Sequence, residues 1–270
     1  MIAESDPLYS ESVGEGPTLV LAHGFTGSAR NWRPQVRALR DRYRVVTYDQ
    51  RGHARSPSPP AAPELYSKAA FSADVLGLID GAPARGGPSR AVLGGLSLGA
   101  GVMLATAMAH PERVRGLVLA SLPAGPGRAG AFSGNAAEMA EMLEREGSEA
   151  TGARFVWGPE SGLDEQGANW VKQGFLEHDP LGLAQVLRGV LGEVSSLVDA
   201  PDLEARLTMP LLLIAGSRDE GSLAPIRKLA ERFPAAQLEI IEGAGHVVNL
   251  AAPKAFNAAL ESFLSDLPAE

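Results

Sequence analysis

The sequence predicts an α/β protein, a mostly parallel sheet with helices on both faces. Three observations predict it. Short apolar runs alternate with stretches of helical spacing over most of the chain. The run Leu19-Val20-Leu21-Ala22 is apolar on both faces, and Val114 to Ala120 is buried by its pattern, as strands sandwiched between helices require. At 270 residues with 45% hydrophobic content, the chain is long enough for one large domain with a filled core.

In order along the chain, Leu8 to Val13 and Thr18 to Ala22 read as two strands joined through Gly14-Glu15-Gly16-Pro17, a hairpin signal. The second ends in His23-Gly24-Phe25-Thr26-Gly27-Ser28. Asn31 to Leu39 has amphipathic helical spacing, and Tyr43 to Tyr48 is the next strand. A proline-rich loop follows, then a helix over Phe71 to Ile79. Ala91-Val92-Leu93 is a strand, Gly95-Leu96-Ser97-Leu98-Gly99 a sharp turn, and Ala100 to Ala109 a small-residue helix. After strand Val114 to Ala120 the rhythm breaks at Leu122-Pro123. Residues 124–198 hold helical pieces (Ala136 to Arg145, Gly167 to Leu176, Pro180 to Leu191) and many acidic residues, and this length far exceeds an ordinary connection. They read as a helical lid insertion in a core made of residues 1–123 and 199–270. The alternation resumes with strand Leu211 to Ala215, helix Leu223 to Phe233, strand Gln237 to Ile241 and a last helix from Pro253 to Leu264, where proline suits a first helical turn.

Composition narrows the chemistry. There is no cysteine, which removes disulfides, a thiol nucleophile and thiolate metal ligands. A net charge of −8 argues against nucleic acid as a partner. No uninterrupted apolar run is long enough for a membrane span. Met1 to Glu15 lacks the basic start and apolar centre of a secretory signal, so a cytoplasmic location is expected. No histidine pair has zinc-like spacing with a third ligand, so neither metal nor cofactor is expected.

The G-x-S-x-G turn puts a serine hydroxyl at the tip of a strand-to-helix elbow. Its glycines lack the Cβ atoms that would collide as strand and helix close. A serine needs a base to take its proton, and the base needs an anion to orient it. Ser97, Asp219 and His246 each stand just past the end of a predicted strand, and in a parallel sheet such turns share one edge. Glu220, next to Asp219, is an alternative acid, and Asp199 and Asp202 lie nearby.

Five motifs in this order resemble the α/β-hydrolase superfamily: His23-Gly24-Phe25, Asp49-Gln50-Arg51-Gly52-His53-Ala54-Arg55-Ser56, the serine elbow, Gly216-Ser217-Arg218-Asp219 and Gly243-Ala244-Gly245-His246. The family pattern usually has glycine where Ala54 stands. The resemblance implies a sheet of about eight strands and assigns roles. Ser97 is the expected nucleophile, His246 the base and Asp219 the orienting acid, with the backbone N–H groups of Phe25 and Leu98 as the oxyanion hole. It is similar to carboxylesterases, enol-lactonases and ring-fission-product hydrolases, which implies a small ester-like substrate, with lactone or carbon–carbon bond hydrolysis as the alternative. A slow-turnover small-molecule receptor on the same fold is the reading from another class. Phe25, Phe132, Trp157, Trp170 and Val247 are candidate substrate contacts. His23 is expected to bond backbone, Asp49 to pair with Arg51 inside its loop, and His178 to lie on the lid surface.

Overall fold

The computed structural model describes residues 7–58, 63–81, 90–123, 136–157 and 165–268. Among them the chain forms β1 (Ser10–Val13), β2 (Thr18–Ala22), α1 (Arg33–Leu39), β3 (Arg44–Tyr48), α2 (Lys68–Asp80), β4 (Ala91–Leu96), α3 (Leu98–Ala109) and β5 (Val114–Ala120). There follow α4 (Ala136–Phe155), α5 (Glu165–Leu176), α6 (Pro180–Val186), α7 (Gly192–Ser195) and α8 (Leu203–Arg206). The chain ends with β6 (Leu211–Gly216), α9 (Glu220–Arg232), β7 (Gln237–Ile241), α10 (Val248–Ala251) and α11 (Pro253–Asp266).

The sheet has seven strands among the described residues, not about eight, in the order β1-β3-β2-β4-β5-β6-β7. β1 is antiparallel to β3, and every other neighbouring pair is parallel. The predicted β1–β2 hairpin does not form, because β1 lies across β3 instead. The physical reason is burial. β2 is wholly buried and takes a parallel partner on each side, whereas the polar β1 is exposed and suits an edge.

Alternate residues divide between the two faces, as the strand period of two requires. Val20, Leu93 and Leu117 pack under α2 and α3, and Leu213 shares their cluster with Ile226 and Leu229 of α9, while Leu19, Val92, Val118 and Leu212 pack against Trp32, Phe256, Leu260 and Phe263 on the opposite face. Local signals fix several helix starts. Ser67 caps α2 by accepting from the Ala70 amide at 3.2 Å, and Asp179 caps α6 by accepting from Leu181 at 2.9 Å.

Among the described residues, the helices between β5 and β6 share the core of the sheet. Met139, Leu143, Phe155, Phe175, Leu183, Val190 and Val194 belong to the same apolar cluster as α3 and the sheet. A Cβ at Gly101 of α3 would lie 2.6 Å from Val194, so glycine there sets how closely this layer sits. α4 bends at Gly147, whose φ is 79°. The stretch Pro180–Asp199 has the length and apolar composition of a membrane-crossing helix. Here Leu183, Ala184, Val186, Val190 and Val194 are buried inside the fold, as in a core helix.

Candidate active site

Three loop structures at the carboxyl ends of the strands build the site. At the first, β4 runs straight into α3 through Ser97, whose φ of 54° and ψ of −117° are strained for a residue with a side chain. The glycines explain how the turn closes. A Cβ on Gly95 would lie 2.3 Å from the Gly99 carbonyl carbon, and one on Gly99 would lie 2.3 Å from the Ala22 oxygen. The Ser97 amide donates to the Ala120 carbonyl at 2.9 Å, tying the turn to β5.

At the second, the loops after β6 and β7 are stitched together. Ser217 N donates to Ile241 O at 3.0 Å, Arg218 N to Ala244 O at 3.0 Å, and Gly243 N to the Ser217 hydroxyl at 2.8 Å. Gly216 permits this, since a Cβ there would stand 2.2 Å from the Ala244 oxygen. The stitching brings Asp219 and His246 together across 27 positions. His246 Nδ1 donates to Asp219 Oδ2 at 2.8 Å, and the Ser97 hydroxyl donates to His246 Nε2 at 3.0 Å. Ser222 Oγ lies 3.4 Å from the same Nδ1.

Electrostatics bind this row together. Burial disfavours the imidazolium of His246, but the charge and hydrogen bond of Asp219 outweigh it and raise its pKa above the ordinary imidazole value. Burial likewise raises Asp219, and His246 with the Ser222 and Ser121 hydroxyls reverses it, so the carboxyl is held below its usual range. The alternative acids are not drawn in. Asp202 pairs with Arg206 at 2.5 Å, Asp199 pairs with Lys228, and Glu220 opens α9 exposed to solvent.

At the third, Gly24-Phe25-Thr26-Gly27 forms a turn closed by Gly27 N donating to Gly24 O at 3.0 Å. It presses against the elbow, where a Cβ on Gly24 would lie 3.3 Å from the Ser97 Cβ. Phe25 in this turn and Leu98, the first residue of α3, thus come from the two backbone segments that adjoin Ser97. Thr26 is buried and has a φ of 67°.

Around this turn the structure corrects two expectations and bears out a third. His23 does bond backbone: its Nδ1 donates to Gly24 O at 2.8 Å, its Nε2 accepts from Gln50 N at 2.9 Å, and burial pushes its pKa down to about 4. Asp49 pairs with Arg55, not Arg51, at 2.7 Å, and also accepts from the Ala29 amide at 2.7 Å. Arg51 instead makes a two-pronged bond to Asp74 of α2 at 2.6 and 3.1 Å. The reason is the turn between them, where Gly52 (φ 78°) and Ala54 (φ 44°) swing Arg55 back to Asp49. His178 is buried, not on the surface. Its Nδ1 accepts from the Ala54 amide at 2.7 Å, and its Nε2 donates to the Thr26 carbonyl at 2.8 Å. Burial lowers its pKa. His53 stands edge-on between His23 and His178, with ring centroids 5.0 and 5.3 Å away.

Of the candidate substrate contacts, Phe25 is half-buried and meets His53 edge-on at 5.7 Å. Val247 follows His246 and is buried in the cluster under α11. Trp157 ends its run packed edge-to-face on Phe175 at 5.8 Å, so part of its surface holds α4 to α5. Phe132 and the side chain of Trp170 lie outside the described residues. Sequence reasoning missed His178, Thr26 and Ser222. The His178 contact spans 152 positions, and no local signal marks it.

Comparison with known proteins bears on the fold. The profile described as "Alpha/beta hydrolase family" matches residues 19–259. The chain is 33% identical over 274 residues to a putative carbamate hydrolase, RutD, of Caulobacter sp. strain K31, covering 96% of each protein. Among solved structures, it is similar to a thermophilic esterase from Thermogutta terrifontis (TM-score 0.80, 28% identity, 96% of this chain and 93% of that one). It is also similar to the enol-lactonase from Burkholderia xenovorans LB400 (TM-score 0.75, 26% identity, 96% of each). The seven-stranded sheet, the elbow at Ser97 and a family match across nearly the whole chain lead to one conclusion: this chain belongs to the α/β hydrolase family.

Proposed function

We propose that this protein is a serine hydrolase that cleaves carboxylic esters of small or medium acyl groups through an acyl-enzyme. The observation that carries the reading is the unbroken row from Asp219 through His246 to the Ser97 hydroxyl, at 2.8 and 3.0 Å. In this reading Ser97 Oγ attacks the ester carbonyl while its proton passes to His246 Nε2. Asp219 holds the ring in the tautomer with Nδ1 protonated and stabilises the imidazolium. The amides of Phe25 and Leu98 receive the oxyanion, an interaction worth roughly 3–4 kcal/mol per donor in comparable sites. The tetrahedral intermediate collapses, and His246 gives its proton to the departing alkoxide. Water then attacks the acyl-enzyme with His246 as base, and the acid leaves as Ser97 regains its proton.

Residues 124–198 act as a lid over a core of residues 1–123 and 199–270. Phe25 and Trp157 contact the acyl or alcohol group, with Phe132 and Trp170 as further candidates, whereas Val247 packs in the core under α11. The test is a substrate panel of short p-nitrophenyl esters, with a fluorophosphonate probe for the nucleophile. Wild-type protein labels at Ser97 and turns over the esters, and Ser97→Ala loses at least about 10⁴-fold of kcat while staying folded. Full activity in folded Ser97→Ala overturns the reading.

A second reading is favoured by the relative named as a carbamate hydrolase and the neighbour named as an enol-lactonase. Carbamates and lactones present the same carbonyl to the same nucleophile and differ in the leaving group. Including both, together with dienone acids for carbon–carbon cleavage, ranks the classes by kcat/KM. Slow turnover on every substrate combined with tight product retention would instead favour the receptor reading.

A further inference from the structure

Two loops at the carboxyl ends of β2 and β3 hold non-glycine residues in the left-handed region. Thr26, in the turn that carries the Phe25 amide, has a φ of 67°, and Ala54, in the loop after β3, has a φ of 44°. A β-branched residue at positive φ is a genuine outlier that persists only when its surroundings hold it. One side chain touches both. The Thr26 carbonyl accepts from His178 Nε2 at 2.8 Å, and the Ala54 amide donates to His178 Nδ1 at 2.7 Å. Both ring nitrogens are therefore committed, one as donor and one as acceptor, in a buried ring walled by His53. The same segment also faces Thr26 at α5, where a Cβ on Gly174 would meet the Thr26 carbonyl oxygen in ordinary van der Waals contact at 3.5 Å.

We propose that His178 is a positioning residue: it reaches from the helical segment between β5 and β6 to fix the Gly24–Gly27 turn, and so aims the Phe25 amide at the oxyanion. This rests on the reading of Ser97 as nucleophile and of Phe25 as an oxyanion donor. The Thr26 bond is the one that matters for rate, because Thr26 directly follows Phe25. The Ala54 bond sets the ring's tautomer and tilt. An exposed ion pair, Arg30 with Glu177 at 2.8 Å, joins the same two segments and provides the contrast. Exposed pairs of this kind contribute little, so general anchoring of the segment and aiming of the turn can be separated.

The experiment compares His178→Gln, His178→Leu, His178→Asn and Arg30→Ala in the full chain, with p-nitrophenyl ester kinetics, thermal melting and fluorophosphonate labelling. Glutamine places an amide N–H near the position of Nε2 and keeps the donor to Thr26. Leucine keeps the volume but makes neither bond, and asparagine is too short to reach Thr26. The expected result is a fall in kcat of about ten- to a hundredfold for leucine and asparagine, with KM changed by less than about threefold, since a misplaced oxyanion donor weakens transition-state binding first. His178→Gln retains at least about a third of kcat, and Arg30→Ala matches wild type.

Folded His178→Leu with wild-type kcat overturns the proposal, as does a loss confined to KM. Should His178→Leu fail to fold, equal kcat for the glutamine and asparagine variants overturns it. Ser97→Ala measured alongside separates the two levels. If it stays active, the serine reading itself falls, whereas Ser97 labelling with unchanged His178 variants removes the positioning role alone.

Discussion

Ser97 and Thr26 are both non-glycine residues held at positive φ within one site, but they are held by different means. The elbow is locked from within by backbone packed on backbone, which the glycines at 95 and 99 allow. The Thr26 turn is closed by its own Gly27–Gly24 bond but is held in addition from outside, by an imidazole that arrives from 152 positions away. Locking by close packing is rigid and cannot be loosened in steps. Holding by an imported hydrogen bond is adjustable, and it makes one loop's geometry depend on the placement of another segment.

The largest effect expected from testing this contrast is on the internal lock. Gly99→Ala puts a Cβ 2.3 Å from the Ala22 oxygen and 2.5 Å from the His23 oxygen, so the elbow must open. Loss of several kcal/mol of stability is expected in denaturant melts, with ester hydrolysis abolished. A folded, active Gly99→Ala would break the claim that packing holds Ser97.

Next in size is Asp219→Asn, for which kcat falls roughly 10³- to 10⁴-fold by analogy with other triads. Its pH profile gives a second readout. Neutral His246 acts as the base, so activity is lost as pH falls through its pKa, which Asp219 raises above the ordinary imidazole value. Without the carboxylate, burial alone remains and the acid limb shifts to lower pH. A limb that stays in place in Asp219→Asn would mean that Asp219 does not set the charge on His246.

Aimed at the outer hold, and read as the change of a single proton, is acid stability. His23, His53 and His178 are all depressed by burial, with His23 down to about 4. They stay neutral in the fold while the unfolded chain takes up protons below about pH 6.5. Stability therefore falls as pH drops from about 6.5 toward 4, at up to about 1.4 kcal/mol per pH unit for each such histidine. Urea melts at several pH values measure the slope, and His178→Gln should make it shallower by one proton.

The smallest effect is that of Ala54→Gly, which relieves the left-handed strain at φ 44°. A gain of roughly 0.5–1 kcal/mol is expected, because relief of that strain exceeds the added backbone freedom of the unfolded chain. A loss would mean that the Ala54 methyl packs more usefully than its backbone is strained.

These differences track what is legible in the sequence. The elbow is written in five adjacent residues, because its steric demand is local and only glycine meets it. The Asp219 and His246 loops were legible from their places after apolar strands, since the parallel sheet sends every such loop to the same edge. The β1–β3 pairing, the Asp49–Arg55 bond and the burial of His178 were not legible. Each depends on which distant backbone lies alongside, and neither spacing nor composition encodes that. Arg51 and Arg55 are equally plausible partners for Asp49 on paper, and only the path of the turn through Gly52 and Ala54 chooses between them.

The burial of α3 also bears on how this protein can be diversified. Every residue from Leu98 to Met108 is buried, and Gly101 has no room for a methyl group beside Val194. A saturation library on that helix would consist mostly of unfolded clones. Variation in selectivity is better sought at the side chains of Phe25 and Trp157, which are only partly buried, with the Phe25 backbone left in its turn against the elbow. The catalytic scaffold would then remain constant while the library samples new acyl and alcohol groups.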